Sequence, residues 1–151
     1  MTMMKPILLA EDNPRDAELA LAAMEEHHIA DKVVVCHDGA EALDYLYCRG
    51  SFRARPHGNP AVVFLDLKMP KVDGLEVLRI IKGDPDLKPI PVVMLTSSRE
   101  EQDLARSYAL GANAYVVKPV EFHQFINAVK ELGVFWGVIN EPPPAAMEAA
   151  S

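Results

Sequence analysis

Short apolar runs alternate with amphipathic stretches along most of this chain. Five of the runs are only a few residues long and rich in aliphatic residues, which is typical of buried strands in a parallel sheet. The stretches between them keep apolar residues three or four positions apart, the spacing of one helical face. The pattern predicts strands at about 5–10, 33–36, 61–65, 91–95 and 114–117, and helices at about 14–28, from Asp38 to about Tyr47, from Gly74, at about 99–110 and from Val120.

Five strands that alternate with five helices indicate an α/β fold, in which right-handed crossovers build a doubly wound parallel sheet. The strand order 2-1-3-4-5 fits best, because it reverses between strands one and three, two strands that end on carboxylates. The helix starts carry matching signals. Asn13 and Asp38 are suited to cap helices one and two, and Pro14 is suited to the first turn of helix one.

Four of the five strands end on a residue suited to phosphoryl chemistry. In chain order these endings are Glu11-Asp12, Asp66, Thr96 and Lys118-Pro119. Because the carboxyl ends of parallel strands lie along one edge of the sheet, the side chains should gather there, where open α/β sheets bind their ligands. The sequence therefore predicts one site that contains three carboxylates, a hydroxyl and an ammonium group.

Three carboxylates around a small cleft repel one another, so at least one of their pKa values should rise unless a cation joins them. Mg²⁺ prefers carboxylate, carbonyl and water oxygens, and a site with few protein ligands leaves positions for phosphate oxygens. Asp66 is then the expected nucleophile, since a carboxylate can form an aspartyl phosphate. Lys118 and Thr96 would bind the moving phosphate oxygens, and the small Ser97 leaves room for them.

Each of these residues, taken alone, has an ordinary structural explanation. Acids such as Glu11 and Asp12 favour helix N-termini, and Asp66 could be a turn residue. Thr96 could simply end a strand, and a lone lysine such as Lys118 is usually a solvated charge. Their joint placement at successive strand ends is what favours a functional site.

Composition narrows the class of protein further. The 151 residues suit one ordinary domain, half of them are apolar and a quarter are charged, as in globular proteins. The net charge of −7 argues against a nucleic-acid surface, and no apolar run approaches the ~18 residues that span a bilayer. Cys36 and Cys48 lack metal-ligand spacing and are expected to be small core residues. We therefore expect a cytoplasmic protein with neither nucleic acid nor membrane as a partner.

The segments around the strand ends resemble the receiver domain of two-component response regulators. The matching stretches are AEDNP, FLDLKMPKVDG, VVMLTS and YVVKP, and the resemblance covers about residues 5–132. It implies the flavodoxin-like receiver fold, with Asp66 as phospho-acceptor assisted by Thr96 and Lys118. The other implied features are a Mg²⁺ site formed by Glu11, Asp12, Asp66 and the backbone carbonyl of Lys68, a switch pair of Thr96 and Tyr115, and a cis peptide bond before Pro119.

A narrower resemblance is to the single-domain receivers that partner bacterial phytochrome-type histidine kinases. It is carried by the long basic connection before strand three, by IIKGDPDLKPIPVVMLTSS and by FWGVINEPPP. It implies a phosphorelay protein that takes a phosphoryl group from such a kinase, catalyses only its own phosphorylation and dephosphorylation, and signals by protein contact. We expect a receiver domain over 1–137 and a Pro/Ala-rich tail over 138–151, with no attached output domain.

Two surfaces are candidates for partner contacts. Phe135 and Trp136 continue the apolar rhythm of helix five beyond the last crossover, where little of the domain is left to cover. We expect them to contribute to a homodimer through helix four, strand five and helix five, a surface by which receivers of this subgroup commonly pair. Arg49, Arg53 and Arg55 crowd the connection before strand three, and they either lie in a solvated loop or contact an acidic surface of the kinase.

Three other classes of function fit parts of the sequence. A phosphohydrolase with an Asp nucleophile usually has a second Asp two residues later, where this chain has Lys68. A flavin-binding module would need a hydroxyl- and glycine-rich loop after strand one, and AEDNPRDA is acidic instead. An interaction module that is never phosphorylated would not need the complete set of site residues. The response-regulator hypothesis is preferred, and the phosphohydrolase is the main alternative.

Overall fold

The computed structural model describes residues 5–25, 32–101 and 111–131, which contain one five-stranded sheet. All neighbouring strands are parallel, and their order is β2-β1-β3-β4-β5. The predicted order is confirmed, with its reversal between the first and third strands. The strands are β1 (Ile7–Ala10), β2 (Val33–Cys36), β3 (Val62–Asp66), β4 (Val92–Thr96) and β5 (Ala114–Val117).

The helices lie close to their predicted positions. Residues 99–101 are helical and begin the predicted fourth helix, and the rest of that helix (102–110) lies outside the described residues. The last helix begins two residues later than Val120, because the apolar signal of Val120 comes from its burial just before the helix. The helices are α1 (Pro14–Glu25), α2 (Gly39–Leu46), α3 (Gly74–Gly83) and the last helix (Phe122–Glu131), and a 3₁₀ turn spans Gly50–Phe52. The predicted end of helix one, residues 26–28, lies outside the described residues.

The start of α1 is determined by the residue before it. Asn13 Oδ1 accepts hydrogen bonds from the backbone amides of Arg15 and Asp16, at 2.9 and 3.2 Å. Pro14 occupies the first helical position, where its missing N–H removes no helical hydrogen bond. The predicted cap is confirmed, and it fixes the first turn of α1 beside the carboxyl end of β1.

Aspartates cap the next two helices in the same way. Asp38 Oδ1 accepts from the amide of Glu41 at 2.7 Å, and Asp73 Oδ1 accepts from the amide of Glu76 at 2.9 Å. The residue that opens α3, Gly74, packs against β3 so closely that an added Cβ would lie 2.1 Å from the carbonyl oxygen of Asp66. Only glycine fits there, and this contact sets the distance between α3 and the end of β3.

Both faces of the sheet are buried, which explains why the strands read as continuous apolar runs. Leu8 and Val63 pack with α2 and α3 on one face, whereas Ile7 and Phe64 pack with α1 and the last helix on the other. The Phe64 ring meets the Phe125 ring of the last helix, with centroids 5.4 Å apart. With helices over both faces, the carboxyl ends of the strands form an edge that is open to a ligand.

Among the described residues, no helix combines the length and the apolar character needed to cross a bilayer. Cys36 and Cys48 are both free thiols. Cys36 ends β2 in the core, and burial raises its pKa to about 12, as the carboxylates of Glu41 and Asp38 also do. Its predicted role as a core residue is confirmed, whereas Cys48 is only half-buried.

The connection between α2 and β3 is supported from within by Arg55. Its Nε donates to the carbonyl oxygen of Tyr45 at 2.7 Å, and its Nη1 donates to the carbonyl oxygens of Pro56 and Gly58 at 2.8 and 3.1 Å. Its guanidinium group also lies over the Tyr45 ring, 4.0 Å from the centroid. Arg55 therefore has a structural role and is not a freely solvated side chain, and the contact of this loop with an acidic surface of the kinase stays a prediction.

The other two arginines of this loop differ from Arg55. Arg49 Nε lies 2.9 Å from Asp44 Oδ1, and its guanidinium group is 5.1 Å from the centroid of the Tyr47 ring. Arg53 is exposed. Because the loop leads into the amino end of β3, it lies at the edge of the sheet opposite the carboxylates.

Replacing Arg55 with alanine should lower the free energy of unfolding by about 2 kcal/mol, because three carbonyl oxygens lose a charged donor and the Tyr45 ring loses its stacked cation. Urea denaturation followed by circular dichroism measures the difference. Arg53→Ala is the matched control, since it removes the same charge from an exposed position, and it should stay within about 0.5 kcal/mol of the wild type. Equal effects of the two variants would contradict the structural role.

Candidate functional site

The carboxyl edge of the sheet brings together residues from four strands. Glu11 follows β1, Asp66 and Thr96 end β3 and β4, and Lys118 follows β5. The backbone pairing of the sheet continues past the strand ends, since the amide of Lys118 donates to the Thr96 carbonyl oxygen at 2.7 Å and the amide of Glu11 to the Cys36 carbonyl oxygen at 2.9 Å. The sheet itself therefore holds these residues in place.

Lys118 is the centre of the charged contacts at this edge. Its Nζ lies 3.1 Å from Glu11 Oε1 and 3.3 Å from Asp66 Oδ1. A third carboxylate oxygen, Asp16 Oδ2, lies closer still, at 2.9 Å. Glu11 and Asp66 are buried, and the Lys118 side chain is only 14% exposed, so water screens these ion pairs weakly. The structure brings the predicted Glu11, Asp66 and Lys118 into direct contact.

A set of carboxylates that fits a cation lies beside Lys118. Glu11, Asp12 and Asp66 each offer an oxygen, and these oxygens all lie within 4.8 Å of one another. Asp12 is exposed, so the cluster faces solvent on one side. An all-oxygen donor set with an open side fits a hard divalent cation.

The electrostatics of the cluster show an excess of negative charge. Burial and the neighbouring Glu11 together raise the pKa of Asp66 to about 8, although the charge of Lys118 lowers it. Burial by itself lowers the pKa of Lys118, but hydrogen bonds to Asp16 and Glu11 and the charge of Asp66 outweigh burial and raise it above its ordinary value. Lys118 is therefore fully charged, and one ammonium group does not balance the carboxylates around it.

The hydroxyl of Thr96 is buried, and its Oγ1 has no hydrogen-bond partner among the described residues. Leaving a buried hydroxyl without a partner costs about 1–3 kcal/mol, so its presence needs an explanation. Thr96 ends the strand next to β3, on the same edge as Asp66. An oxygen of a ligand bound at this edge would satisfy the hydroxyl.

The residue after Thr96 is held by Glu101, which the sequence analysis did not identify. Ser97 donates to the Glu101 carboxylate from its backbone amide at 3.1 Å and from its hydroxyl at 2.8 Å. The amide of Glu101 donates in turn to Ser98 Oγ at 3.1 Å. The spacing of Ser98 and Glu101 matches a helix-capping box, which is the signal that could have found this contact.

For the other predicted site residues, the structure gives the position of the side chain or backbone but does not test the metal-binding and switch roles. The Lys68 side chain is exposed and its Nζ lies 3.6 Å from Glu101 Oε2, and the metal-binding role of its backbone carbonyl stays a prediction. Tyr115 lies half-buried on β5, beside β4, and its switch role with Thr96 also stays a prediction. The peptide bond between Lys118 and Pro119 is cis, as the resemblance implied.

Asp16 is the second site residue that the sequence analysis missed. It lies in the first turn of α1, four residues after Asp12, where an acidic residue is ordinary because it favours the helix dipole. Its partner Lys118 is 102 residues away in the chain. Only the tertiary fold, in which α1 packs against the last helix, brings the two together.

This chain belongs to the response regulator receiver domain family, whose model matches residues 7–130. Two curated relatives are similar over most of their length. The probable methanogenesis regulatory protein FilR2 of Methanothrix harundinacea (strain 6Ac) is 41% identical over 141 residues, which cover 92% of this chain and 88% of that protein. The response regulator Rcp1 of Synechocystis (strain PCC 6803) is 38% identical over 132 residues, which cover 87% and 88% of the two chains.

Two solved structures of bacteriophytochrome response regulators have a higher sequence identity to this chain than FilR2 and Rcp1 do. AtBRR is 66% identical with a TM-score of 0.85, and the match covers 89% of this chain and 96% of that one. RtBRR is 60% identical with a TM-score of 0.85, over 97% and 89% of the two chains. The Mn²⁺-bound form of Rcp1 is 38% identical with a TM-score of 0.68, over 87% and 94%. These matches confirm the receiver fold.

Replacing Asp66 with asparagine should stabilise the metal-free protein. Because the pKa of Asp66 is higher in the folded protein than in the unfolded chain, the protonated carboxyl favours folding. Its contribution to the free energy of unfolding is complete below about pH 4 and is lost as the pH rises toward about 8. We expect the free energy of unfolding of Asp66→Asn to exceed that of the wild type by about 1 kcal/mol or more at pH 7.5, and by less as the pH approaches 4.

Urea denaturation in EDTA at several pH values measures this difference. Asp86→Asn, which changes an exposed aspartate in the same way, is the control and should show no such gain. An Asp66→Asn variant that is less stable than the wild type at pH 7.5 would contradict the unfavourable ionisation of Asp66.

Proposed function

We propose that this protein is a response regulator that accepts a phosphoryl group on Asp66 from a histidine kinase. The observation that carries the proposal is the buried contact between Asp66 and Lys118, 3.3 Å apart. A hydroxyl on the neighbouring strand, that of Thr96, has no hydrogen-bond partner among the described residues. A nucleophile, a cation and a hydrogen-bond donor thus lie on one edge of the sheet.

In the proposed reaction an oxygen of the Asp66 carboxylate attacks the phosphorus atom of the donor. A new O–P bond forms as the bond between phosphorus and the donor atom breaks, and the leaving group keeps the electron pair. Lys118 neutralises one phosphoryl oxygen, and the Thr96 hydroxyl donates a hydrogen bond to another. Attack by water on the phosphorus atom of the acyl phosphate breaks its O–P bond, releases inorganic phosphate and returns Asp66 to its free carboxylate. The protein is thus its own substrate, and this chemistry is limited to its own phosphorylation and dephosphorylation.

The metal of this site is proposed to be Mg²⁺, held by Glu11, Asp12, Asp66 and the backbone carbonyl of Lys68. The fit rests on the converging carboxylate oxygens and on the pKa of Asp66, which burial and the neighbouring Glu11 raise. When bound, the ion neutralises charge on the phosphoryl oxygens. The Mn²⁺-bound form of Rcp1 supports a divalent cation in this family.

The proposed phosphodonor is a bacteriophytochrome histidine kinase. The support is the 66% and 60% identity to AtBRR and RtBRR, which are named as bacteriophytochrome response regulators. FilR2 is less similar, at 41%, and its name points to another pathway. We place the protein in the cytoplasm, a reducing compartment where its two free thiols would persist.

Output is proposed to pass by protein contact through the surface of the fourth helix, β5 and the last helix. Phosphorylation would draw the Thr96 hydroxyl toward the new group and let Tyr115 follow. A groove of about 280 Å³ already lies beside Tyr115, between Arg99 and Gln124. The proposed homodimer uses the same surface together with Phe135 and Trp136, which lie outside the described residues. The domain limit at residue 137 and the tail over 138–151 also lie outside them and stay predictions.

The phosphohydrolase alternative is not favoured. It needs an acid two residues after the nucleophile, and this position is held by Lys68, whose exposed side chain pairs with Glu101. Among the described residues near Asp66, the carboxylates of Glu11 and Asp16 bind Lys118, so they are poorly placed as proton donors to a leaving group.

With acetyl phosphate and Mg²⁺, the protein should gain one phosphoryl group, because the Asp66 oxygen can displace acetate. The added mass is measured by intact-protein mass spectrometry, and the bond should be labile in base. Asp66→Asn should gain no phosphoryl group, whereas the control Asp86→Asn should label like the wild type. EDTA should prevent labelling, and Asp12→Asn should raise the Mg²⁺ concentration that gives half-maximal labelling. Equal labelling of Asp66→Asn would overturn the assignment.

A bacteriophytochrome kinase that has been autophosphorylated with ATP should transfer its phosphoryl group to this protein at least about tenfold faster than an unrelated histidine kinase, because specificity is a difference between affinities for partner surfaces. The transfer is measured as a time course of radiolabel on the two proteins. Similar rates from both kinases, with acetyl phosphate labelling intact, would contradict the partner while leaving the phospho-acceptor unaffected.

A further inference from the structure

Among the described residues, three carboxylates contact the Lys118 ammonium group, and Asp16 forms the shortest of these contacts. Asp16 Oδ2 lies 2.9 Å from Lys118 Nζ, whereas the oxygens of Glu11 and Asp66 lie 3.1 and 3.3 Å away. An ammonium group has three N–H donors, so three carboxylates can take one donor each. Asp16 therefore fixes the orientation of Lys118 as directly as the two buried carboxylates do.

The position of Asp16 is itself determined by the fold. Its backbone amide is bound by the Asn13 cap at 3.2 Å, and the helix begins one residue after that cap. The next residue, Ala17, is buried with Ala20 against the sheet, which fixes the rotation of α1 about its axis. The Asp16 side chain is 28% exposed, so it approaches Lys118 from the solvent side of the site.

The contacts of Asp16 differ from those of the metal-type cluster. Glu11, Asp12 and Asp66 converge on one point, and Asp16 is not part of that group. Its hydrogen bond to Lys118 is among the interactions that keep the lysine charged despite burial. The carboxylate of Asp16 thus contacts the ammonium group and lies outside the carboxylate set that fits a cation.

We propose that Asp16 is a positioning residue for phosphoryl transfer, which acts by holding Lys118 so that its remaining N–H points at Asp66. The inference rests on the proposed function. Glu11, just after β1, binds one N–H and Asp16 binds a second from α1, which leaves the third for Asp66 Oδ1, 3.3 Å from Nζ. Because Asp16 touches Lys118 and not the reacting atoms, losing it should slow the transfer without weakening the binding of the phosphodonor.

The test measures the rate of labelling with acetyl phosphate and saturating Mg²⁺ as a function of donor concentration. Asp16→Asn keeps the size of the side chain and removes its charge, and it should lower the saturating rate about tenfold with an unchanged half-saturating donor concentration. Asp16→Glu restores the carboxylate and should regain most of the rate. Glu18→Gln removes the same charge from an exposed position on α1 and should stay within twofold of the wild type. Thermal melting of each variant confirms that it is folded.

An Asp16→Asn variant that labels within twofold of the wild-type rate would overturn the proposal. So would a folded Asp16→Glu variant as slow as Asp16→Asn, because the carboxylate would then not be the cause. An equal loss of rate in Glu18→Gln and in Asp16→Asn would show that the total negative charge of α1 is the cause, and it would also overturn the proposal. If the wild type takes no phosphoryl group at all, the proposed function fails instead, and this result is distinct from the other three.

Discussion

The ion pairs of Lys118 are the contacts on which the rest of the site depends. Moving carboxylates such as Glu11 and Asp66 out of water opposes folding unless opposite charge compensates them, and Lys118 is the cation that contacts both. The compensation is incomplete, since the pKa of Asp66 remains raised. The resting site is therefore short of positive charge, which favours a divalent cation. Such a site lowers the free energy of unfolding of the metal-free protein but favours binding and chemistry, as is common where pKa values are strongly shifted.

The sheet separates the parts of the molecule that stabilise it from the part that reacts. Both faces are covered by helices, so the charged residues gather at the carboxyl edge. At the opposite edge, Arg55 stabilises the long loop before β3, because its N–H groups donate hydrogen bonds to carbonyl oxygens of the loop and of α2. Gly74 then ties α3 to the backbone of Asp66, so that the reactive strand end is supported by a rigid neighbour.

Local patterns were enough to predict the strands, their order, the caps at Asn13 and Asp38 and the strand-end residues that meet at the site. Each of these features depends on residues close in sequence or on the general geometry of parallel sheets. The contacts of Asp16 and Arg55 could not be predicted in this way. The Lys118 partner of Asp16 is 102 residues distant, and an arginine in a polar loop looks the same whether it binds its own loop or faces solvent. These contacts depend on packing and on side-chain conformations, which the residue types alone do not specify.

Two features beside the charged cluster indicate how the site would respond to a phosphoryl group. The Thr96 hydroxyl has no hydrogen-bond partner among the described residues, while the next residue, Ser97, is held through both its amide and its hydroxyl by Glu101. We propose that a phosphoryl group on Asp66 would supply the acceptor that Thr96 lacks and would thereby favour movement of Thr96 toward Asp66. Because Thr96 ends β4 and pairs with Val117 of β5, such a movement would act on the strand end beside β5 and on the contact that holds the next residue, Ser97, to Glu101.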